Sequence, residues 1–207
     1  MQVDNKTISG IVEEISALMT EHRDYLVSLD QVNGDGDLGI SMDDGFKALA
    51  DYFRSEPQAD LGLAFRQAAK VLNQAAPSSL GTILSFGLMG MAKSLKGNAQ
   101  VEFPVLAEAV KAGIENIMVK AESKPGEKTI LDSLVPGANA LTESDDPKIA
   151  ASNAAKAAAD GSEATKNMKA VHGRAAFTAA RSIGILDGGS VVGKLIFEGI
   201  NNYVSKQ

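Results

Sequence analysis

Apolar residues recur at three- and four-residue intervals almost from the start of the chain. Ile8, Ile11, Val12, Ile15, Leu18, Met19, Tyr25, Leu26 and Leu29, with His22 in step, trace one face of a first helix that delivers Asp30 at its end. Met42, Phe46, Leu49 and Phe53 predict a second helix, over about 40–52, that stops before Pro57. Asp60 is placed to cap a third, with Leu61, Phe65, Ala68, Val71 and Leu72 inward. A small-residue break at 75–82 leads into a fourth helix through Ile83, Leu84, Leu88 and Met91. Pro104 opens a fifth, carrying Leu106, Val110, Ile114, Ile117 and Met118. After an interruption at 124–129, Ile130, Leu131, Leu134 and Val135 mark a sixth, expected to bend near Pro136. Pro147 opens an alanine-rich seventh to about Met168, and a last helix with Val192, Leu195, Ile196 and Ile200 follows residues 187–190. Between these two, residues 172–184 are short and mixed. No period-two strand and no linker interrupts the pattern. The expected architecture is all-α: an eight-helix antiparallel bundle with short loops, one domain over 1–207.

Composition narrows what such a bundle does. At 207 residues and 44% hydrophobic, the chain can bury a sizeable core. A formal net charge of −6 and the lack of a basic patch with interleaved aromatics argue against nucleic acid as a partner. The absence of cysteine excludes disulfides and thiolate chemistry. No apolar run is long enough to span a bilayer, and the first residues lack the layout of a signal peptide, so no membrane partner and a cytoplasmic location are expected.

The densest chemistry lies between the first two helices. Asp30, Asp35 and Asp37 fall within eight positions, with Gly34, Gly36 and Gly39 among them. Crowded carboxylates repel and raise one another's pKa unless something positive sits between them. A hard divalent cation such as magnesium or calcium is the natural counter-charge. The glycines let the carboxylates converge, and helical patterning resumes at once, so the cluster abuts a helix N-terminus, an anion site. Metal beside helix N-terminus reads as a place for a phosphate chain. Two other readings stand beside it. Asp and Gly also dominate ordinary turns. An EF-hand loop counted from Asn33 has Asp35 and Asp37 in place, but Leu38 stands where glycine is needed and Asp44 where glutamate is needed.

The other breaks carry weaker signals. Residues 75–82 form either a second nest of N–H groups with the Ser78, Ser79 and Thr82 hydroxyls, or a turn in which serine caps the next helix. Residues 126–129 echo a Gly-Lys-Thr phosphate loop but lack the earlier glycine and the preceding strand, so a P-loop is rejected. Lys128 is left as a phosphate contact or a solvated charge. Arg174 and Arg181 suit phosphate or base recognition, or a structural ion pair. His22 reads as a core or rim residue, and two histidines are too few for a histidine metal cage.

Taken together, these motifs resemble the nucleotide-binding L subunit, or C-terminal domain, of dihydroxyacetone kinases, the DhaL or Dak2 family, over nearly the whole chain. The family's aspartate, Gly-Asp-x-Asp-His-Gly and Met-x-x-Gly-Phe are matched by Asp30, residues 34–39 and residues 42–46. Its Lys-Pro-Gly-Asp-Lys-Thr is matched at 124–129, with Leu131, Asp132, Val135 and Pro136 following. Its Gly-Arg-Ala-Ser and Arg-Ser-Ile-Gly are matched at 173–176 and 181–184. The resemblance implies an eight-helix antiparallel barrel holding ADP or ATP through two magnesium ions on Asp30, Asp35 and Asp37. It implies that Leu38, Gly39, Ile40 and Ser41 meet the phosphates, and that Ala76, Ser78 and Ser79 fall in a phosphate loop. Ala121 and Ile130 would line the nucleotide site, Arg174 would approach the nucleotide, and Asp187, Gly188 and Gly189 would close over it.

The implied activity is transfer of a phosphoryl group to a hydroxyl of dihydroxyacetone, or a related small ketose or polyol, held by a DhaK-like partner subunit. ATP or a phosphotransferase-system donor protein would supply the phosphate, and a homodimer is compatible with it. The alternatives are a non-catalytic, regulatory nucleotide-binding paralogue and a kinase domain acting on another presented acceptor, such as a fatty acid. The chain departs from the family pattern at Leu38, where the family has histidine, at 74–79, and at 185–190.

Overall fold

A computed structural model of the protein describes residues 1–32, 34–172, 176 and 182–207. Among them are nine α-helices: α1 (Asn5–Glu21), α2 (Arg23–Asp30), α3 (Leu38–Ser55), α4 (Leu61–Ala75), α5 (Ser79–Ser94), α6 (Phe103–Ala121), α7 (Leu131–Leu141), α8 (Pro147–Ala164) and α9 (Gly188–Ser205). A 3-10 turn (Thr165–Asn167) extends α8. Setting α2 aside, each helix packs on the next around a ring, and α9 returns to α1, so eight helices close a barrel. The expected all-α, eight-helix antiparallel architecture is therefore the one observed. No helix among the described residues is long and apolar enough to cross a membrane.

The barrel interior takes the apolar stripes that the periodicity marks. Met19, Met42, Leu61, Leu72, Phe103, Ile117, Leu131, Leu195 and Phe197 are all essentially sealed from water. Leu72, Phe103, Ile117 and Phe197 among them line a small apolar cavity of about 140 Å³. Leucine, isoleucine and phenylalanine stripes of this kind, each side chain contributing about 1.5–3 kcal/mol on burial, are what closes the ring. A close seam joins α7 to α8. Pro136 lies inside α7 and has no N–H to offer the Asp132 carbonyl one turn back. Gly161 of α8 sits against that carbonyl so closely that a Cβ there would lie 2.1 Å from it. α7 keeps its helical course through Pro136 under that cover.

Two local expectations are corrected. The first helix is two: His22 ends α1 and begins α2, its ring Nδ1 3.0 Å from the Leu18 carbonyl. The apolar rhythm continues unbroken through His22, so periodicity alone could not mark this bend. Strand structure is also present in a minimal form. β1 (Gln2–Val3) pairs antiparallel with β2 (Val101–Glu102), Gln2 opposite Glu102 and Val3 opposite Val101. Two residues are too few to show an alternating pattern.

Antiparallel alternation sorts the helix termini into two ends. α1, α4, α6 and α8 begin at one end, closed by the β1–β2 pair and by contacts such as Leu61 N–H to the Asn98 carbonyl at 2.7 Å. α3, α5, α7 and α9 begin at the other, which is open.

Candidate functional site

Four helix N-termini surround a cleft of about 1010 Å³ at the open end, a volume sufficient for a small ligand. Each brings unpaired N–H groups and a partial positive charge. Asp30, Asp35 and Asp37 line one side, with Leu38 at the start of α3. Ser78 and Ser79 open α5, Ile130 precedes α7, and Asp187, Gly188 and Gly189 open α9. These ten residues, scattered between positions 30 and 189, are brought together.

The aspartate loop is organised by Asp30. Its Oδ2 accepts the Gly36 N–H at 2.8 Å, and its carbonyl accepts the Gly34 N–H at 2.6 Å. Gly36 adopts a positive φ of 78°, which wraps the loop around the Asp30 carboxylate and which a side chain would resist. One carboxylate oxygen from each of Asp30, Asp35 and Asp37 lies within 4.8 Å of the others. Asp30 is half-buried, while Asp35 and Asp37 are exposed to the cleft. Magnesium–oxygen bonds of about 2.0–2.1 Å put opposite ligands roughly 4.2 Å apart, so an all-oxygen cluster of this size suits a divalent ion with at most a small inward closure. Asp37 occupies the N-cap position of α3 yet makes no capping bond with its side chain.

Across the cleft, the Ser78 hydroxyl accepts from Gly81 N–H at 3.1 Å, capping α5, and from the Ser41 hydroxyl at 2.8 Å. With both acceptances made, the Ser78 hydroxyl still has one proton to donate. Asp187 caps α9 by accepting the Ser190 N–H at 2.6 Å. Burial pushes its carboxyl up to about 6, and Asp132 and Asp30 add to the rise, while the Ser190 bond and the Lys128 charge work against it.

Other expected site residues are placed elsewhere. Gly39 backs onto α2, where a Cβ would lie 2.1 Å from the Arg23 carbonyl, so packing alone requires glycine there. Ile40 is exposed but does not line the cleft, and Ser41 reaches it only through Ser78. Ala76 is fully buried, its N–H bonded to the Leu72 carbonyl and its own carbonyl accepting from Ser78. Ala121 ends α6 outside the cleft lining. Arg174 and Arg181 lie outside the described residues.

Two cleft residues carry roles that motif reading did not assign. Lys128 is not a solvated charge: it is 7% exposed, and its ammonium donates to the carbonyls of Thr165 and Ile185, each at 2.6 Å. His172 also lines the cleft, its Nε2 2.6 Å from a Glu127 oxygen. That hydrogen bond, followed by one from the Lys124 N–H, holds the Glu127 carboxyl below its usual range. The dense 124–129 motif pointed toward Lys128, and the mixed 172–184 segment begins at His172.

Comparison with known proteins converges on one family. A family model for the DAK2 domain matches residues 32–202. The ADP-binding subunit DhaL of a PEP-dependent dihydroxyacetone kinase from Listeria innocua is 32% identical over 86% of this chain and 85% of its own length. The corresponding DhaL subunit of Escherichia coli is 24% identical over 92% of both chains. A rat triokinase/FMN cyclase is 28% identical over 96% of this chain, which spans about a third of that longer protein. The crystal structure of the dihydroxyacetone kinase from C. freundii in complex with AMP-PNP and Mg2+ superposes with a TM-score of 0.78 at 21% identity, over 98% of this chain and 34% of that one. A barrel with one open, acidic end and a family match over most of its length lead to one statement: the protein belongs to the DAK2-domain family, as a relative of its DhaL subunits.

Proposed function

We propose that the protein is the nucleotide-binding subunit of a dihydroxyacetone-type kinase. It would hold ADP or ATP with magnesium and pass the terminal phosphoryl group to a hydroxyl of a small ketose or polyol presented by a DhaK-like partner. The observation that carries this reading is the convergence of the Asp30, Asp35 and Asp37 oxygens within 4.8 Å, at a cleft ringed by four helix N-termini.

Asp30, Asp35 and Asp37 would hold the metal, which when bound supplies charge neutralisation for phosphate oxygens. The N–H groups at the starts of α3, α5 and α9 that their caps leave free, with the Ser78 hydroxyl, would donate to those oxygens. The chain positions and neutralises; the acceptor hydroxyl comes from the partner. A phosphotransferase-system protein that recharges bound ADP, or ATP itself, would be the phosphoryl source. Relatives described as PEP-dependent support the former.

A second reading, a regulatory nucleotide-binding paralogue, is favoured by one feature. Leu38, at the cleft's metal side, offers no donor, and its Cδ2 fills the space that a Cβ on Gly188 would need. Calorimetric titration of ADP into the chain with magnesium, and again with chelator, tests the shared premise: binding is expected only with magnesium, and equal binding in both sinks it. Adding a dihydroxyacetone-loaded partner subunit and a phosphoryl donor separates the two readings, because tight nucleotide binding without transfer selects the regulatory one.

A further inference from the structure

We infer that Lys128 is a positioning residue for the nucleotide, an internal strut that sets the α9 wall of the cleft against the aspartate wall. This inference rests on the proposed nucleotide site.

Its setting is built by Asp132, whose Oδ1 accepts the Gly126 N–H at 2.5 Å and whose Oδ2 accepts the Thr129 N–H at 2.7 Å. Pinned on both sides, the short segment turns Lys128 inward with a left-handed φ of 60°, a backbone state that a lysine adopts at some cost. Its ammonium then bridges two segments far apart in sequence. One partner is the carbonyl of Thr165, at the end of α8; the other is the carbonyl of Ile185, two residues before the α9 cap. Thr165 completes the joint, since its hydroxyl accepts the Asp187 N–H at 3.0 Å and donates to the Ser162 carbonyl at 2.7 Å.

Space filling alone does not call for this arrangement. A glycine would take the backbone angle freely, and an apolar side chain would avoid burying a cation. Burial lowers the Lys128 pKa, while Asp187 and Asp132 push it back. Two short charge-assisted bonds to backbone carbonyls offset that cost. They fix the path from Ile185 into residues 187–189, which line the cleft. Among the described lining residues Lys128 is the one lysine or arginine, yet two of its protons are spent on the protein's own backbone. These two bonds tie Lys128 to the α9 wall, and we assign its main effect on a ligand to that wall.

The test uses the full chain and two variants. Lys128→Met keeps the stem and removes the ammonium; Lys128→Gly removes the ammonium and also relieves the backbone. Affinity for ADP with magnesium is measured by calorimetry, and amide hydrogen exchange is measured without nucleotide. The expected result is a 10- to 100-fold loss of ADP affinity in both variants. Exchange should rise at least tenfold over 185–190, while amides 79–85 on the α5 wall keep their protection. Unchanged ADP affinity in a folded variant overturns the inference. So does exchange that rises equally on both walls, or failure of both variants to fold, since the lysine would then serve the fold as a whole. If the unsubstituted chain itself fails to bind ADP with magnesium, the proposed function falls first, which distinguishes the two failures.

Discussion

The two ends of the barrel use the same residue type for opposite ends. At the closed end, aspartates are consumed by the backbone. Asp4 accepts from Thr7 N–H at 2.8 Å, Asp60 from Leu63 N–H at 2.6 Å, and Asp146 from Lys148 N–H at 2.9 Å and Ile149 N–H at 3.2 Å. Each satisfies donors that a helix start leaves orphaned. At the open end, Asp37 stands at the same position of α3 and caps nothing with its side chain. One of its carboxylate oxygens lies within 4.8 Å of one from Asp30 and one from Asp35, so like charge is crowded there. The capping aspartates satisfy helix-start donors; the gathered ones form an acidic wall of the cleft.

Substitutions at the two ends should therefore separate stability from binding. Asp37→Ala or Asp35→Ala is expected to weaken magnesium-dependent ADP binding by about 100-fold or more, seen by calorimetry. The melting temperature of the metal-free chain should hold or rise, because a repelling charge has gone; a large fall would make the cluster structural. Asp30→Ala should cost binding and local order together, since its carboxylate also holds the Gly36 N–H.

Next in size is Gly39→Ala. A Cβ 2.1 Å from the Arg23 carbonyl forces α3 away from α2, which should destabilise the fold by about 1–3 kcal/mol on chemical denaturation. A neutral outcome would mean that the α2–α3 crossing yields easily. Asp60→Ala, at the closed end, should cost about 1 kcal/mol of stability and leave ADP affinity unchanged. Any loss of affinity there would break the division between the ends.

The smallest effect concerns Asp187, which belongs to both ends' habits: it caps α9 and also sits in the crowded cleft. Its carboxyl is raised from an ordinary 3.8 to about 6, so the folded state holds that proton more tightly than the unfolded chain. The resulting stability is fully present below pH about 4 and is lost as pH rises through about 6. Asp187→Asn keeps a capping oxygen and removes the titration. In chelator, the variant should gain on the order of 1 kcal/mol or less near pH 7, discounted for water in the cleft, and should lose the slope between pH 4 and 6. A persistent slope would assign it to other carboxylates.

Much of this protein was legible from the chain alone, because much of it is local. Helix positions follow from three-four spacing, proline and aspartate starts, and neighbours a turn away; α4 and α8 begin where Asp60 and Pro147 place them. The aspartate cluster was equally visible, since all three carboxylates lie within eight residues of one another. Tertiary structure alone decided that His22 bends the first helix and that Ala76 is sealed inside. It also decided that Lys128 turns inward to carbonyls 37 and 57 residues away. Those outcomes depend on which helix lies beside which once the ring closes. Side-chain rhythm along one segment records that a face is to be buried; the partner that buries it, and what a lysine meets there, is set only when distant segments share the same space.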